Sequence, residues 1–496
     1  MAKDRFDDPG TADARTLLDG MARDKWDAVE ITEAHLDRID RYNEAVNAYC
    51  HVDHSGARRA AEESARRWAK GRPLSQADGL PVSLKDLTEV RGMPTRAGSL
   101  TSGIEPATED SPPAARLREA GAVPLGKTNT PEFGWKATTD NRVFGCTYNP
   151  WHTGMTSGGS SGGAAAAAAL NLGVLHQGGD SGGSIRIPAA FCGVFGFKPT
   201  FGWTPQWPPS KMPTLSHIGP ITRTVWDASL MLNMIGRYDY RDPYATRGQP
   251  DDWSNCLGDG ISGLQIAYAR DWEGREPSAD VRRAIDEAAD TLSNLGADIV
   301  EVDPVFADPC EAFREIWDTC SRQLVLEMDE SQRKQLDPGL LEESREAESL
   351  LATDFFDAYL TGQRLVATLE GFFQQYDLLL TPTVPREAFA AGHDTPPGED
   401  FKDWIAWTPY SYPFNLTGQP AASVPCGFSD SGLPVGLQLA GGKFDDNKVL
   451  RACHAYLEEK PATVINEPRL PERKSDRKAG GSRQGNSKGT SKGKSK

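Results

Sequence analysis

A chain of 496 residues, 38% of them hydrophobic and 25% charged, can bury a large core and is too apolar for an intrinsically disordered protein. No apolar run reaches the roughly eighteen residues a membrane span requires, and Met1 to Asp8 is charged where a secretory leader would be apolar. The expected location is therefore cytoplasmic, without a membrane partner; and since residues 473–496 hold nine Lys/Arg against one Asp, the net charge of −16 leaves the body near −24, which argues against nucleic acid as the main partner.

In chain order, the spacing of Leu17 and Met21, then of Ile31, His35 and Ile39, predicts helices over 11–20 and 28–42. The run Gly79-Leu80-Pro81-Val82-Ser83-Leu84 reads as a buried strand ending on Lys85 and Asp86. Ser111 to Ala120 reads as a capped helix stopped by Gly121, with Ala122 to Leu125 as the strand after it. Two Gly/Ser segments follow, Thr156 to Ala164 and Gly179 to Pro188. Between them, Ala164 to Leu170 should be helical and Val174 to Gln177 extended. Leu264 to Tyr268 is another strand candidate; Ser278 then caps a helix with Val281, Ile285, Ala288, Leu292 and Leu295 on one face, and Gly296 precedes the strand at Ile299-Val300. Segments 203–213 and 392–402, rich in Pro and polar residues, read as long loops bordering a pocket, and 471–496 as a disordered basic Gly/Ser/Lys tail. This alternation predicts an α/β layered fold with a largely buried sheet. Eight cysteines without a CxxC pair fit reduced thiols, and eight histidines form no metal pattern.

Paired hydroxyl- and glycine-rich segments can gather serine oxygens and backbone N–H groups around a carbonyl. An attacking serine must lose its proton to a base. No histidine is suitably placed: His176 lies in an apolar-flanked strand, and no G-x-S-x-G elbow surrounds Ser184. Lys85 offers another solution, an amine kept neutral by desolvation, with a salt bridge to Asp86 as the plainer alternative. A phosphate-cradling role is set aside because neither Gly/Ser segment ends in Gly-Lys-Ser/Thr.

The combined pattern resembles the amidase signature family. It consists of Gly-Gly-Ser-Ser-Gly-Gly at 158–163, Asp-Ser-Gly-Gly-Ser-Ile-Arg-Ile-Pro-Ala at 180–189, and Phe191-Cys192-Gly193-Val194-Phe195-Gly196-Phe197-Lys198-Pro199-Thr200. Leu80 to Asp86, Leu125 to Asn129, Leu380 to Thr383 and Asn415 to Ala421 fit the same family, so that the resemblance runs over roughly residues 10–465. It implies a single large domain over 1–470, a central twisted mixed β-sheet covered by helices on both faces, with a motif core at about 75–225 and a more variable region at about 240–375.

For function, the resemblance implies an amidase that forms an acyl-enzyme on Ser184, with Ser160, on a cis peptide, relaying the proton to Lys85. Backbone N–H groups of Ser181, Gly182, Gly183 and Ser184 would form the oxyanion hole, and Ser161, Asp180 and Arg186 would support it. By family position, Gly134 and Trp135 flank the acyl side of the pocket, while Trp203, Trp207, Trp404 and Trp407 sit in loops able to wall an apolar cavity. The implied substrate is a small apolar amide, anilide or carbamate, with no cofactor, no metal, and a monomer or homodimer as the working unit. The family also holds cyclic-amide and urethane cleavers and a glutamine-transferring subunit that needs partner chains. Ile187 stands where that subunit usually carries glutamine, and Gly179 where relatives often carry threonine.

Overall fold

The computed structural model describes residues 8–461 except 249, 251, 273, 274 and 304, together with 468 and 470; the basic tail at 471–496 lies outside the described residues. In the first part of the chain the strands are β1 (Tyr49–Val52), β2 (Pro81–Lys85), β3 (Val123–Thr128), β4 (Asp140–Asn141), β5 (Gly145–Cys146) and β6 (Leu175–Asp180). The second part adds β7 (Phe195–Lys198), β8 (His217–Thr222), β9 (Gln265–Tyr268), β10 (Asp298–Glu301), β11 (Leu378–Pro382), β12 (Ala421–Phe428) and β13 (Pro434–Gly441). Eleven of these form one mixed sheet in the order β1-β3-β2-β6-β8-β7-β12-β13-β11-β9-β10, while β4 and β5 pair separately. β3, β2 and β6 run parallel, as do β11, β9 and β10, and the strands between β6 and β11 are antiparallel.

The predicted α/β class with a central mixed sheet is the observed one, and it follows from burial on two faces. Every residue of β2 and β3 is buried, the apolar stretches Pro81-Val82 and Val123 to Leu125 as well as the polar strand ends at Lys85 and Lys127-Thr128. Along β11, Leu378 and Leu380 pack with residues of helices Ala279–Asn294 and Asp446–Glu459, while Leu379 packs with Leu365 and Leu369 of helix Ala352–Phe372 on the other side. Ser278 caps its helix, accepting from the Val281 amide at 3.2 Å, and Gly121 and Gly296 follow their helices with φ of +84° and +96°. No helix among the described residues is long and apolar enough to cross a membrane.

Gly121 to Thr128 has the G-x-x-x-x-G-K-T spacing of a phosphate loop, and the structure gives it a different use. Val123 to Thr128 is a buried strand, and the Lys127 amine is wholly enclosed among protein groups.

Candidate active site

β2 and β6 are parallel neighbours, so Lys85 and Asp180, each the last residue of its strand, open on the same edge of the sheet. Open α/β sheets place their sites at this carboxyl edge. Asp86 follows Lys85 and faces the opposite side of the sheet, as successive extended residues do. There Lys127 Nζ donates to Asp86 Oδ1 at 3.1 Å, so the Lys85–Asp86 salt bridge open at the level of sequence is replaced by a Lys127–Asp86 pair.

Lys85 Nζ donates to Ser160 Oγ at 2.6 Å. The lysine is 2% exposed, and burial lowers its pKa from 10.5 to about 7 against an upward pull from Asp180. Gln177 Oε1 fixes the strand end by accepting from the Lys85 amide at 3.1 Å and from Thr88 Oγ1 at 2.9 Å. His176 is occupied elsewhere: its Nδ1 meets Ser83 Oγ at 2.8 Å, and burial holds its pKa near 3.

The two Gly/Ser segments meet at the end of β6. Ser160 follows a cis peptide bond from Gly159, and a Cβ on Gly159 would lie 2.4 Å from the Thr138 carbonyl oxygen. The Ser161 amide donates to the Ser184 carbonyl at 3.1 Å, which ties one segment to the other. The Ser161 hydroxyl donates to the Gly179 carbonyl at 3.1 Å and accepts from the Gly179 amide at 3.2 Å. Ser161 therefore braces the backbone of β6 and binds neither Lys85 nor Ser160 through its side chain. Ser184 is 8% exposed, and its hydroxyl has no hydrogen-bond partner among the described residues.

Asp180 organises the loop that carries Ser184. Its carboxylate accepts from the Gly183 amide at 2.7 Å, the Ile185 amide at 3.2 Å and Arg186 Nε at 2.9 Å. Burial alone would raise its pKa, but the charge and hydrogen bonds of Arg186, with help from Lys198 and Asn415, hold it well below the usual carboxylate range. Arg186 is fully buried and reaches Asn415 Oδ1 at 2.7 Å, Gln438 Oε1 at 2.8 Å and the Ser411 carbonyl at 2.9 Å. These three partners come from the far end of the chain. Their sequence signal was polar residues inside buried apolar runs, and only Asn415 falls within a quoted motif.

Of the four amides expected to face an oxyanion, that of Gly183 is committed to Asp180. The amides of Ser181, Gly182 and Ser184 donate to no acceptor among the described residues. Gly183 has φ +124°, and a Cβ there would sit 2.4 Å from Ser411 Oγ, so no other residue fits. Gly134 has φ +77°, and its Cβ position lies 3.2 Å from Ser160 Oγ, which puts it beside the Ser160 hydroxyl. Trp135 and Trp404 line one cavity, and Trp404 also packs against Gly182. The other tryptophans are elsewhere. Trp203 is buried with its Nε1 on Asp446 at 2.8 Å, Trp407 stacks on Phe191 in the core, and Trp207 is an exposed loop residue. The ring of Trp203 meets Trp253 and Phe444 edge-on, and that of Trp407 packs with Phe191 and Phe389, so both are used in the core.

The fold and this constellation define the class. A family model described as Amidase matches residues 30–450, and the chain belongs to that family as an amidase signature hydrolase. It is 36% identical to an acylamidase of Rhodococcus erythropolis over 87% of this chain and 93% of that protein. It is also 35% identical to the A subunit of the glutamyl-tRNA(Gln) amidotransferase of Salinispora tropica, over 89% and 96%. Among solved structures, a bacterial aryl acylamidase of the amidase signature enzymes superposes with a TM-score of 0.85 at 27% identity, covering 93% of this chain and 99% of that one.

Proposed function

We propose that this protein hydrolyses amide C–N bonds through an acyl-enzyme on Ser184, with Ser160 and Lys85 moving the proton. The observation that carries the reading is the buried Lys85 amine, its pKa near 7, donating to Ser160 Oγ at 2.6 Å. Neutral Lys85 takes the Ser160 proton as Ser160 takes that of Ser184, and Ser184 Oγ adds to the carbonyl carbon. The oxyanion lies against the unengaged amides of Ser181, Gly182 and Ser184, while Gly183 spends its amide on Asp180 to hold the loop. When the C–N bond breaks, the proton returns through Ser160 to the departing amine. Water then adds to the acyl-enzyme, and the same chain removes its proton to release the acid.

The substrate we favour is an apolar acyl amide, anilide or carbamate, in keeping with the likeness to an acylamidase and with the indole wall at Gly182. A cytoplasmic monomer or homodimer fits eight cysteines that are all free thiols. In this reading residues 1–470 are the catalytic domain and 471–496 an accessory basic extension. A second reading, an amidotransferase A-type subunit that works with partner chains, is favoured by the Salinispora likeness. Against it, Ile187 is buried beside Gly183 at the position where that subunit usually carries glutamine.

The test is the purified chain alone, given a fluorophosphonate probe and a fluorogenic panel of anilides, primary amides, esters and carbamates. Turnover, with Ser184 labelled and labelling lost in Ser184→Ala, is the expected result. No turnover together with copurifying partner chains would favour the amidotransferase reading.

A further inference from the structure

A cavity of about 320 Å³ lies beside the catalytic loops, with Trp135 and Trp404 among its walls. Trp135 directly follows Gly134, which borders Ser160. The six-membered ring of Trp404 meets the other loop: a Cβ on Gly182 would lie 2.9 Å from its Cη2. The opposite edge of the same indole donates from Nε1 to Glu343 at 3.2 Å. One indole therefore separates the Gly182 backbone from the Glu343 carboxyl.

Charges around this cavity are mostly paired. Arg314 binds Asp403, Lys402 binds Glu346 at 2.6 Å, and Glu342 at the exposed rim binds Arg345 at 2.7 Å. Lys136, 5.2 Å from the centroid of the Trp135 ring, is committed to Asp394 at 2.6 Å and Asp140 at 3.0 Å. Two carboxyls are left without a bonded cation among the described residues. Glu343, on helix Pro338–Glu346, accepts from Ser321 Oγ at 2.6 Å and Trp317 Nε1 at 2.9 Å as well as from Trp404. Asp318, on helix Cys310–Leu326, is 4% exposed and accepts no hydrogen bond from a described residue, and its Oδ1 is enclosed. Trp135 Nε1 is buried and unbonded too. A carboxyl held out of water without a cation is costly, and an ammonium group would supply N–H donors to it while its charge rests against an indole face.

We propose that this cavity binds an organic ammonium group, either the protonated amine at the far end of an amide substrate or a free alkylammonium ion. The substrate form rests on the Ser184 acyl-enzyme reading; the free-ligand form does not. Burial pushes Asp318 up to about 7 and Glu343 up to about 8. Around Asp318 stand Arg314, which opposes the shift, and Asp403 and Glu346, which add to it, with Lys402 opposing; around Glu343, Asp318 adds to the shift and the hydrogen bonds of Ser321, Trp404 and Trp317 oppose it. A cation binds the ionised carboxyls, so its affinity rises with pH up to about 8 and falls as they protonate.

The experiment uses the whole chain and three probes. Fluorophosphonate labelling of Ser184 reports the catalytic reading separately. Calorimetry with hexylammonium, and with hexanol as the neutral control, reports the cavity. A matched pair of p-nitroanilides, of 5-aminopentanoic and pentanoic acid, reports the substrate. Hexylammonium is expected to bind at least tenfold tighter than hexanol, more tightly at pH 8.5 than at pH 6, with Asp318→Asn and Glu343→Gln each weakening it at least tenfold. If the ammonium belongs to the substrate, the aminopentanoyl anilide has the larger kcat/KM and hexylammonium competes with it. If it is a free ligand, the two anilides are cleaved alike while hexylammonium binds. Should a variant fail to fold, the pH dependence and the hexanol comparison on the unaltered protein still decide. Hexylammonium binding no tighter than hexanol, or independent of pH and of both substitutions, overturns the proposal even where Ser184 labels normally.

Discussion

Lys85 and Lys127 stand one register step apart on the parallel strands β2 and β3, both enclosed by protein, and face opposite sides of the sheet. On one side Lys127 meets the Asp86 carboxylate and the Thr95 hydroxyl, and the pair balances its own charge. On the other, the only hydrogen bond of the Lys85 amine among the described residues is to the Ser160 hydroxyl, and the upward pull of Asp180 offsets desolvation only in part, so its pKa falls to about 7. Lys198 is a third case: it is buried against the carbonyls of Pro199 and Gln419 and depressed by burial, yet it touches no hydroxyl that could pass a proton. Burial sets the basicity of an amine. The neighbouring acceptor determines whether that basicity can reach a substrate.

Deleting each amine in turn should separate the two lysines most strongly. Lys85→Ala should lower kcat/KM by about 10²–10⁴-fold, the usual worth of a general base, without lowering Tm; wild-type turnover by this variant would refute the relay. Lys127→Ala should act in the opposite sense. It leaves Asp86 buried without its cation and should cost about 3–5 kcal/mol in urea unfolding, while turnover per labelled Ser184 stays within about threefold. A large loss of turnover with full stability would erase the distinction between the two lysines. Next in size is the pH profile. The neutral amine is the active form, so kcat/KM should climb about tenfold per pH unit below a midpoint near 7 and level off above it. A profile flat from pH 5 to 10 would count against Lys85 as the base. The smallest effect is expected from Gly179→Ala, whose new methyl would lie 3.7 Å from the His217 carbonyl and 4.0 Å from Lys85 Nζ. It fits without a clash and buries the amine further, so the limb should move to lower pH by less than one unit, read by the same titration.

Much of the candidate site was legible because it is written in local backbone terms. The strand ending on Lys85, the cap at Ser278 and the glycines of both loop segments depend on neighbours within a turn or on positive φ. The seven-residue helix Arg186–Cys192 was not legible, since Pro188 sits inside it and no apolar periodicity can show in so short a piece. Two of the four loop tryptophans depart from the sequence reading for a related reason. Trp203 and Trp407 lie in irregular segments that look solvent-facing, yet their indole N–H groups reach Asp446 and the Asp394 carbonyl inside the protein.

The order of the motifs and the α/β alternation can be read along the chain, because periodicity and glycine placement act over a few residues; Lys85, Ser160 and Ser184 enter as the proposed chemistry-bearing residues through the family resemblance of those motifs. How these groups are partnered depends on the folded sheet. Lys85 finds Ser160 across 75 residues, Asp86 finds Lys127 across 41, and Arg186 finds Asn415 across 229. Contacts of that separation are set by strand order and by which face each side chain takes. A pattern of neighbours along the chain carries neither.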